Sequence, residues 1–254
     1  MRDRRWFRVS PGVVLVLALL SAGEARASSF NLSPLHVNLS SKAPSALLEI
    51  RNQATVPLRL QLTVNAWDQS PAGEMVLTPT EEIIFFPSLL ALEPGEMRKI
   101  RLGTQTTLTA SEKSYRIFVE ELPALEHQPV QGGQITVLTR LSIPVFIAPG
   151  KPTIKGEVQD LTVQHSVISF IVQNTGNTHF TPRPIHVSGR DAAGDAVAIQ
   201  DVEGWYILAG GSRRFEVAIP PQTCDSLRSI IVETDMGVGL IKGQADVSPK
   251  SCGR

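Results

Sequence analysis

Cysteine is nearly absent from this chain of 254 residues: Cys224 and Cys252 are its only two. Two thiols cannot frame a disulfide-dense miniature fold, and they show no short Cys or His spacing of the kind that builds a structural zinc site. The histidines are scattered as His36, His127, His165, His179 and His186, with two prolines between the last pair, so no metal site is expected. An excess of charge of either sign is also missing, since 24 Lys and Arg face 24 Asp and Glu. Without a net basic field, nucleic acid is not an expected partner. Beyond the N-terminal segment no apolar run reaches the roughly 18 residues that a spanning helix needs, which excludes membrane insertion of the mature chain by a helix. No G-x-S-x-G elbow occurs, and Gly210-Gly211-Ser212 reads as a turn. The glycine-rich stretch from Gly237 to Gly243 lacks the strand-then-helix setting of a nucleotide loop and reads as a hairpin or bulge. Neither an enzymatic reaction nor a cofactor has support in the sequence.

What is present begins with an export signal. Arg2, Arg4, Arg5 and Arg8 precede the apolar run Val13 to Leu20, and Ala25-Arg26-Ala27 supplies a small-x-small cleavage pattern. Residues 1–27 are therefore expected to be a signal peptide; the alternative, an uncleaved anchor, has too short an apolar core. Removing that segment takes five arginines and two acids, so the mature chain keeps 19 basic and 22 acidic residues. In an oxidising compartment Cys224 and Cys252 either pair, tying the tail to a loop, or stay as thiols at a frayed terminus.

Strand periodicity dominates the rest. Leu58 to Trp67 sets Leu58, Leu60, Leu62, Val64 and Ala66 against Arg59, Gln61 and Thr63, with Trp67 on the opposite parity. Further strands are expected around a kink at His36, over Ala46 to Asn52, Ile83 to Phe86, Met97 to Leu102 and Ser114 to Leu122. Turns intervene at Ser70-Pro71-Ala72-Gly73 and Glu93-Pro94-Gly95-Glu96. Ala148-Pro149-Gly150-Lys151-Pro152 breaks the pattern as a linker. Strands then resume over 156–162, 167–173, 185–190, 205–208, 214–219 and 229–234. The expected fold is all-β, two sandwich domains over 28–147 and 153–248, joined by 148–152 and ending in a tail, 249–254.

The longest strand pattern, Gly132 to Ile147, alternates Gln134, Thr136, Arg140 and Ser142 with Ile135, Val137, Leu141 and Ile143. Pro144 withholds a ladder donor, so an edge position fits best. A long apolar edge invites pairing with another chain, and Arg140 is the only charge along it. Such an edge is either covered or used.

Several segments resemble the PapD-like periplasmic pilus chaperones of the chaperone-usher pathway. They are Ser33-Pro34-Leu35-His36-Val37, Leu92-Glu93-Pro94-Gly95-Glu96 leading into Ile100-Arg101-Leu102, and Tyr115 to Pro123. Thr139 to Phe146 with Ala148-Pro149, and Asn174-Thr175-Gly176-Asn177, complete the set. The Ile143-Pro144-Val145-Phe146 ending is more similar to the archaic, alternative or spore-coat-type branch. The resemblance implies two immunoglobulin-like domains at an angle and a periplasmic location. It also implies pilus or fimbrial subunits and an outer-membrane usher as partners, and donor-strand complementation as the mode of binding. Ile135, Val137 and Leu141 would then enter the subunit groove, with Leu138 or Thr139 if a bulge shifts the register. Three aliphatic anchors at roughly 1.5 to 3 kcal/mol each supply about 4.5 to 9 kcal/mol before the cost of ordering.

The family presents two basic residues to the subunit's C-terminal carboxylate, whereas the matching positions here are His36 and Ser142. Arg140 shares the strand face of Ser142 and is the substitute read from the sequence; Arg116 on the preceding strand is a weaker candidate. Arg140 otherwise reads as a solvated edge charge, and His36 as an ordinary polar strand residue. The competing reading of the whole chain is a secreted immunoglobulin-like fibre subunit or adhesin.

Overall fold

Alternation in the first half resolves into ten strands: β1 (Phe30–Ser33), β2 (Val37–Leu39), β3 (Ser45–Asn52), β4 (Leu58–Gln69), β5 (Met75–Pro79), β6 (Ile83–Phe86), β7 (Leu89–Leu92), β8 (Met97–Thr104), β9 (Lys113–Glu121) and β10 (Arg140–Ile147). The computed structural model describes residues 30–70, 72–105, 109–123 and 137–252. The expected signal segment, 1–27, and the first part of the expected donor strand, including Ile135, lie outside them. One sheet runs β1-β3-β8-β6, and the other runs β2-β10-β9-β4-β5 with β7 also on β4. The inward residues of both meet in one core that includes Leu48, Ile50, Leu60, Ile100, Leu102, Tyr115, Ile117 and Val145.

The kink near His36 is a change of sheet. After a cis Ser33–Pro34 bond the chain leaves β1, antiparallel to β3, and enters β2, parallel to β10. That crossing corrects the expected edge strand in two ways. β10 begins at Arg140, and Val137 to Thr139 lie outside the ladder, tethered where Thr139 accepts from the Glu121 amide at 2.9 Å and donates to the Glu121 carboxylate at 3.1 Å. β2 covers Val145 to Ile147, so among the described residues the open edge of β10 is only Arg140 to Pro144.

The second half forms β11 (Gly156–Gln164), β12 (Val167–Asn174), β13 (Ile185–Asp191), β14 (Ala196–Val202), β15 (Ser212–Ala218), the short helix α1 (Pro221–Ser226), β16 (Leu227–Asp235) and β17 (Leu240–Asp246). A three-stranded sheet, β11-β12-β15, packs on a four-stranded one, β14-β13-β16-β17, around a separate core with Phe170, Ile185, Ile207 and Ile230. The fold is thus the all-β, two-domain sandwich expected. Cys224 on α1 is bonded to Cys252, with Cα atoms 5.6 Å apart.

Four strands, β5, β7, β14 and β17, are not among those expected, β7 being only four residues long, and one expected strand does not form. β5 is exposed along its whole length and β14 is an edge with only half-buried apolar residues, so neither shows a clean buried face. β17 follows the glycine turn after β16, which makes Gly237 to Gly243 part of a hairpin. Trp205 to Leu208 is no strand: one bridge, Phe180 to Ile207, is all that forms. Pro182 and Pro184 cannot donate to a ladder beside it, and Gly204 sits so close to Pro182 that an added Cβ would lie 1.9 Å from its carbonyl oxygen.

Each domain is locked by a buried asparagine at the end of an inner strand. Asn52, closing β3, donates from its side chain to Val56 and Leu92 carbonyls at 2.9 and 3.1 Å and accepts from the Ala54 amide at 2.8 Å. Asn174, closing β12, donates to Thr178 and Ile207 carbonyls, both at 3.0 Å, and accepts from the Gly176 amide at 2.9 Å. In both cases the asparagine's own amide donates to the residue that precedes the neighbouring strand, Glu96 before β8 or Gly211 before β15. A side chain with two donors and one strong acceptor satisfies a chain reversal that no ladder reaches.

Candidate functional site

The residues of β4, β9 and β10 that point away from the first core form the site. Register places Asn65, Arg116 and Pro144 in one row, and Thr63, Phe118 and Ser142 in the next. Trp67 and Phe146, on the same parity, carry this face to the domain junction. There they pack with Leu208 and Tyr206, the Trp67 ring centroid lying 6.0 Å from that of Phe146 and 5.5 Å from that of Tyr206. The off-parity Trp67 of the sequence is therefore interdomain packing.

Polar braces hold the two domains around this cluster. The Gln69 side chain donates to the Tyr206 carbonyl and accepts from the Leu208 amide, at 2.7 and 2.8 Å. The buried Glu112 carboxylate accepts from the His179 amide at 3.0 Å and lies 2.6 Å from His179 Nδ1, while the imidazole stacks on Phe146 at 3.7 Å. Asn177 bridges Ala110 in the first domain and Lys151 in the connection, at 2.8 and 3.0 Å. Beside it Gly176 is obligatory, because a Cβ there would meet the Thr153 carbonyl oxygen at 2.3 Å.

Arg116 sits at the wall of the cleft and is 4% exposed. Its guanidinium carbon lies 3.9 Å from the Trp67 ring centroid, 5.6 Å from Tyr206 and 5.9 Å from Trp205. Cation–π attraction offsets part of the cost of burial. Burial itself lowers the Arg116 pKa from its ordinary value, yet arginine keeps its proton in proteins. Among the described residues Nε and Nη2, one edge of the guanidinium fork, have no hydrogen-bond partner, and neither have the buried Trp67 Nε1 and Ser142 Oγ. Buried donors without acceptors each cost about 1 to 3 kcal/mol, more for a charged group. Their concentration on one face marks a place built to receive acceptors. A carboxylate matches the free edge of the fork, taking two parallel charge-assisted hydrogen bonds.

The other sequence candidates fall around this point. Arg140, the substitute preferred in the sequence, has its Nε 2.5 Å from the Glu120 carboxylate and its guanidinium 4.2 Å above the Phe118 ring. It is exposed and already paired, whereas Arg116 is buried. Ser142 is half-buried on the Arg116 face. His36 is exposed and lies one residue before the β2 ladder, so continuing the register sets it beside Pro144 and the Arg116 row. Val137 and Leu138 are exposed, and Leu141 packs half-buried at the rim of the first core. Trp205 and Tyr206, which frame the cleft from the second domain, had no signal in the sequence beyond their aromatic character. Among the described residues no group of three or more His, Cys, Asp or Glu side chains is placed to hold a metal ion.

Among the described residues a buried arginine with an open fork thus stands beside an open strand edge. Residues 29–152 match the family model described as pili and flagellar-assembly chaperone, PapD N-terminal domain. The chain belongs to the PapD-like pilus-assembly chaperones. This is a chaperone family rather than a catalytic one. No curated protein matches the chain in sequence. Solved PapD-like structures share its fold at low identity. A chain from the CsuC–CsuE chaperone–tip subunit complex of the archaic Csu pili of Acinetobacter baumannii is 16% identical with a TM-score of 0.58, over 87% of this chain and 98% of that one. A chain from the Salmonella enterica SafA pilin–SafB chaperone complex is 15% identical with a TM-score of 0.56, over 86% and 97%. The class 5 fimbriae chaperone CfaA gives 13% and 0.55, over 87% and 100%.

Proposed function

We propose that this PapD-like chaperone works in the periplasm, where it caps pilus or fimbrial subunits by lending them a strand and hands them to an outer-membrane usher. The observation that carries this reading is Arg116, buried with an unpartnered fork beside the open edge of β10, Arg140 to Pro144. The edge supplies backbone donors and acceptors; Leu141, with Val137, Leu138 or Thr139 and the preceding Ile135, supplies apolar side chains for the groove. Arg116, helped by Ser142, Trp67 Nε1 and His36, takes the subunit's terminal carboxylate. The work requires no reaction, only reversible burial, so the chain acts without enzymatic chemistry. Residues 28–147 form the donor domain, 148–152 the connection and 153–248 the second domain, after removal of the signal peptide 1–27. CsuC–CsuE and SafB–SafA are complexes of a chaperone with a subunit, and that precedent supports the same class of partner here.

Co-expression with candidate subunits in the periplasm tests the reading directly. The wild-type chain is expected to protect a subunit and co-purify with it one to one. Arg116→Glu, which sets a like charge against the carboxylate, is expected to abolish that complex, while Arg140→Glu leaves most of it. Equal subunit recovery with and without Arg116→Glu would refute the anchor.

A further inference from the structure

The turn between β16 and β17 presents bare apolar surface: Val238 is 63% and Leu240 76% exposed. It is also a shaped turn. Gly237 donates to the Asp235 carboxylate at 2.7 Å, Met236 donates to the Gly239 carbonyl at 3.0 Å, and Gly237 and Gly239 have φ of +86° and +157°. Side chains at those glycines would be strained, so the backbone that displays Val238 is fixed by its own residues. A preformed apolar tip loses little conformational freedom on binding.

Backbone, ion-pair and ring contacts connect this tip to the cleft. Arg183 donates its amide to the Asp235 carbonyl at 3.0 Å and pairs with the Asp235 carboxylate at 3.3 Å; its own carbonyl accepts from Thr234 Oγ1 at 2.8 Å. The preceding Pro182 packs on Gly204, and Trp205 follows, 44% exposed, edge-on to Tyr206 at 5.7 Å and 5.9 Å from the Arg116 guanidinium. A chain of contacts thus runs from the anchor through Trp205, the buried Pro182 and Arg183 to the tip, with Trp205, Arg183, Val238 and Leu240 exposed along it. We propose that Trp205 and the β16–β17 tip form a second contact for the subunit whose carboxylate lies at Arg116, so that both domains grip one partner. The proposal rests on the donor-strand reading. Continuity with that cleft is what selects the subunit over other occupants.

The test uses complexes of the full mature chain with a co-expressed fibre subunit. The double variant Val238→Ser with Leu240→Ser is expected to release the labelled subunit to excess unlabelled chaperone about tenfold faster, the factor that 1.4 kcal/mol produces. Its unfolding midpoint is expected to stay unchanged, since both side chains are exposed. Leu240→Gln alone serves if the double variant folds poorly, with a smaller acceleration expected. A photo-crosslinking amino acid in place of Val238 is expected to label the subunit. An unchanged release rate, or crosslinks only to the usher or to a second copy of this chain, overturns the second contact. Arg116→Glu in the same assay separates the failures. Lost capture with Arg116→Glu beside unchanged release from the hairpin variant leaves the anchor standing and removes the hairpin contact. Full capture with Arg116→Glu overturns the donor-strand reading and the hairpin contact with it.

Discussion

Asn52 and Asn174 solve the same problem in the two domains with the same three bonds, yet the domains around them finish differently. The second is stapled, its last described residues tied by Cys224–Cys252 to α1 and by the Cys252 carbonyl to Ser166 Oγ at 3.0 Å. Among the described residues the first is left open, with one edge of β10 unpaired over Arg140 to Pro144 and four buried polar atoms lacking partners on its junction side. One architecture therefore serves two ends: the closed domain is a rigid wall, and the open domain holds unsatisfied capacity that another chain can fill.

The two asparagine corners are expected to be equivalent in energy. Asn52→Ala or Asn174→Ala removes two donated and one accepted bond from a buried corner, and each is expected to cost about 2 to 5 kcal/mol in its own domain, read by chemical denaturation. If the two losses differed several-fold, the corners would not be equivalent. Next, Cys224→Ser with Cys252→Ser opens a loop with a sequence separation of 28, for an expected loss of about 3 to 4 kcal/mol. That loss is expected in the second domain, with hydrogen exchange of β3 and β8 little changed. Arg116→Met sharpens the contrast by running the other way. Replacing a buried cation of unfilled valence with an apolar chain of similar length is expected to leave stability unchanged or raise it by about 1 to 3 kcal/mol while subunit capture fails. A stability loss with capture intact would make Arg116 a structural residue.

The smallest effect concerns the brace beside β6. Glu82 receives Lys113 Nζ at 2.5 Å and the Tyr115 hydroxyl, and these bonds, Lys113 first, hold its carboxyl below the ordinary range. A depressed folded-state pKa contributes stability above the unfolded value and loses it as pH falls through the folded one. Glu82→Gln is therefore expected to cost at most about 0.5 kcal/mol at neutral pH, since the side chain is partly solvated, and to narrow the gap below the usual carboxylate range. Acid titration of the unfolding midpoint measures it.

Alternation made the inner strands legible, because β3, β4, β8, β9 and β12 bury one face against a core and must repeat every second residue. Edges such as β5 and β14 have no such constraint, and they were missed for that reason. The site was harder to read. Arg140 looked like the anchor because strand parity showed its face, but parity does not show that Glu120 sits across from it on β9. Arg116 ranks in the sequence only as a weaker candidate, because it falls at a polar position of a half-buried strand. Only the packing of Trp67 and Tyr206 around it, from a neighbouring strand and from the other domain, reveals a buried charge.

The short parallel strand β2 has one more implication. It occupies the rim of β10 from Val145 onward, with His36 level with Pro144, so a visiting strand laid along Arg140 to Ile143 in the same direction runs next into His36 and Val37. β2 is a doorstop. With the proposed anchor at Arg116, it would turn the edge into a gauge of where a polypeptide stops, accepting one that terminates level with Arg116 and refusing one that continues. A few residues appended to a subunit's C-terminus would then block seating, even with every groove-filling side chain left in place.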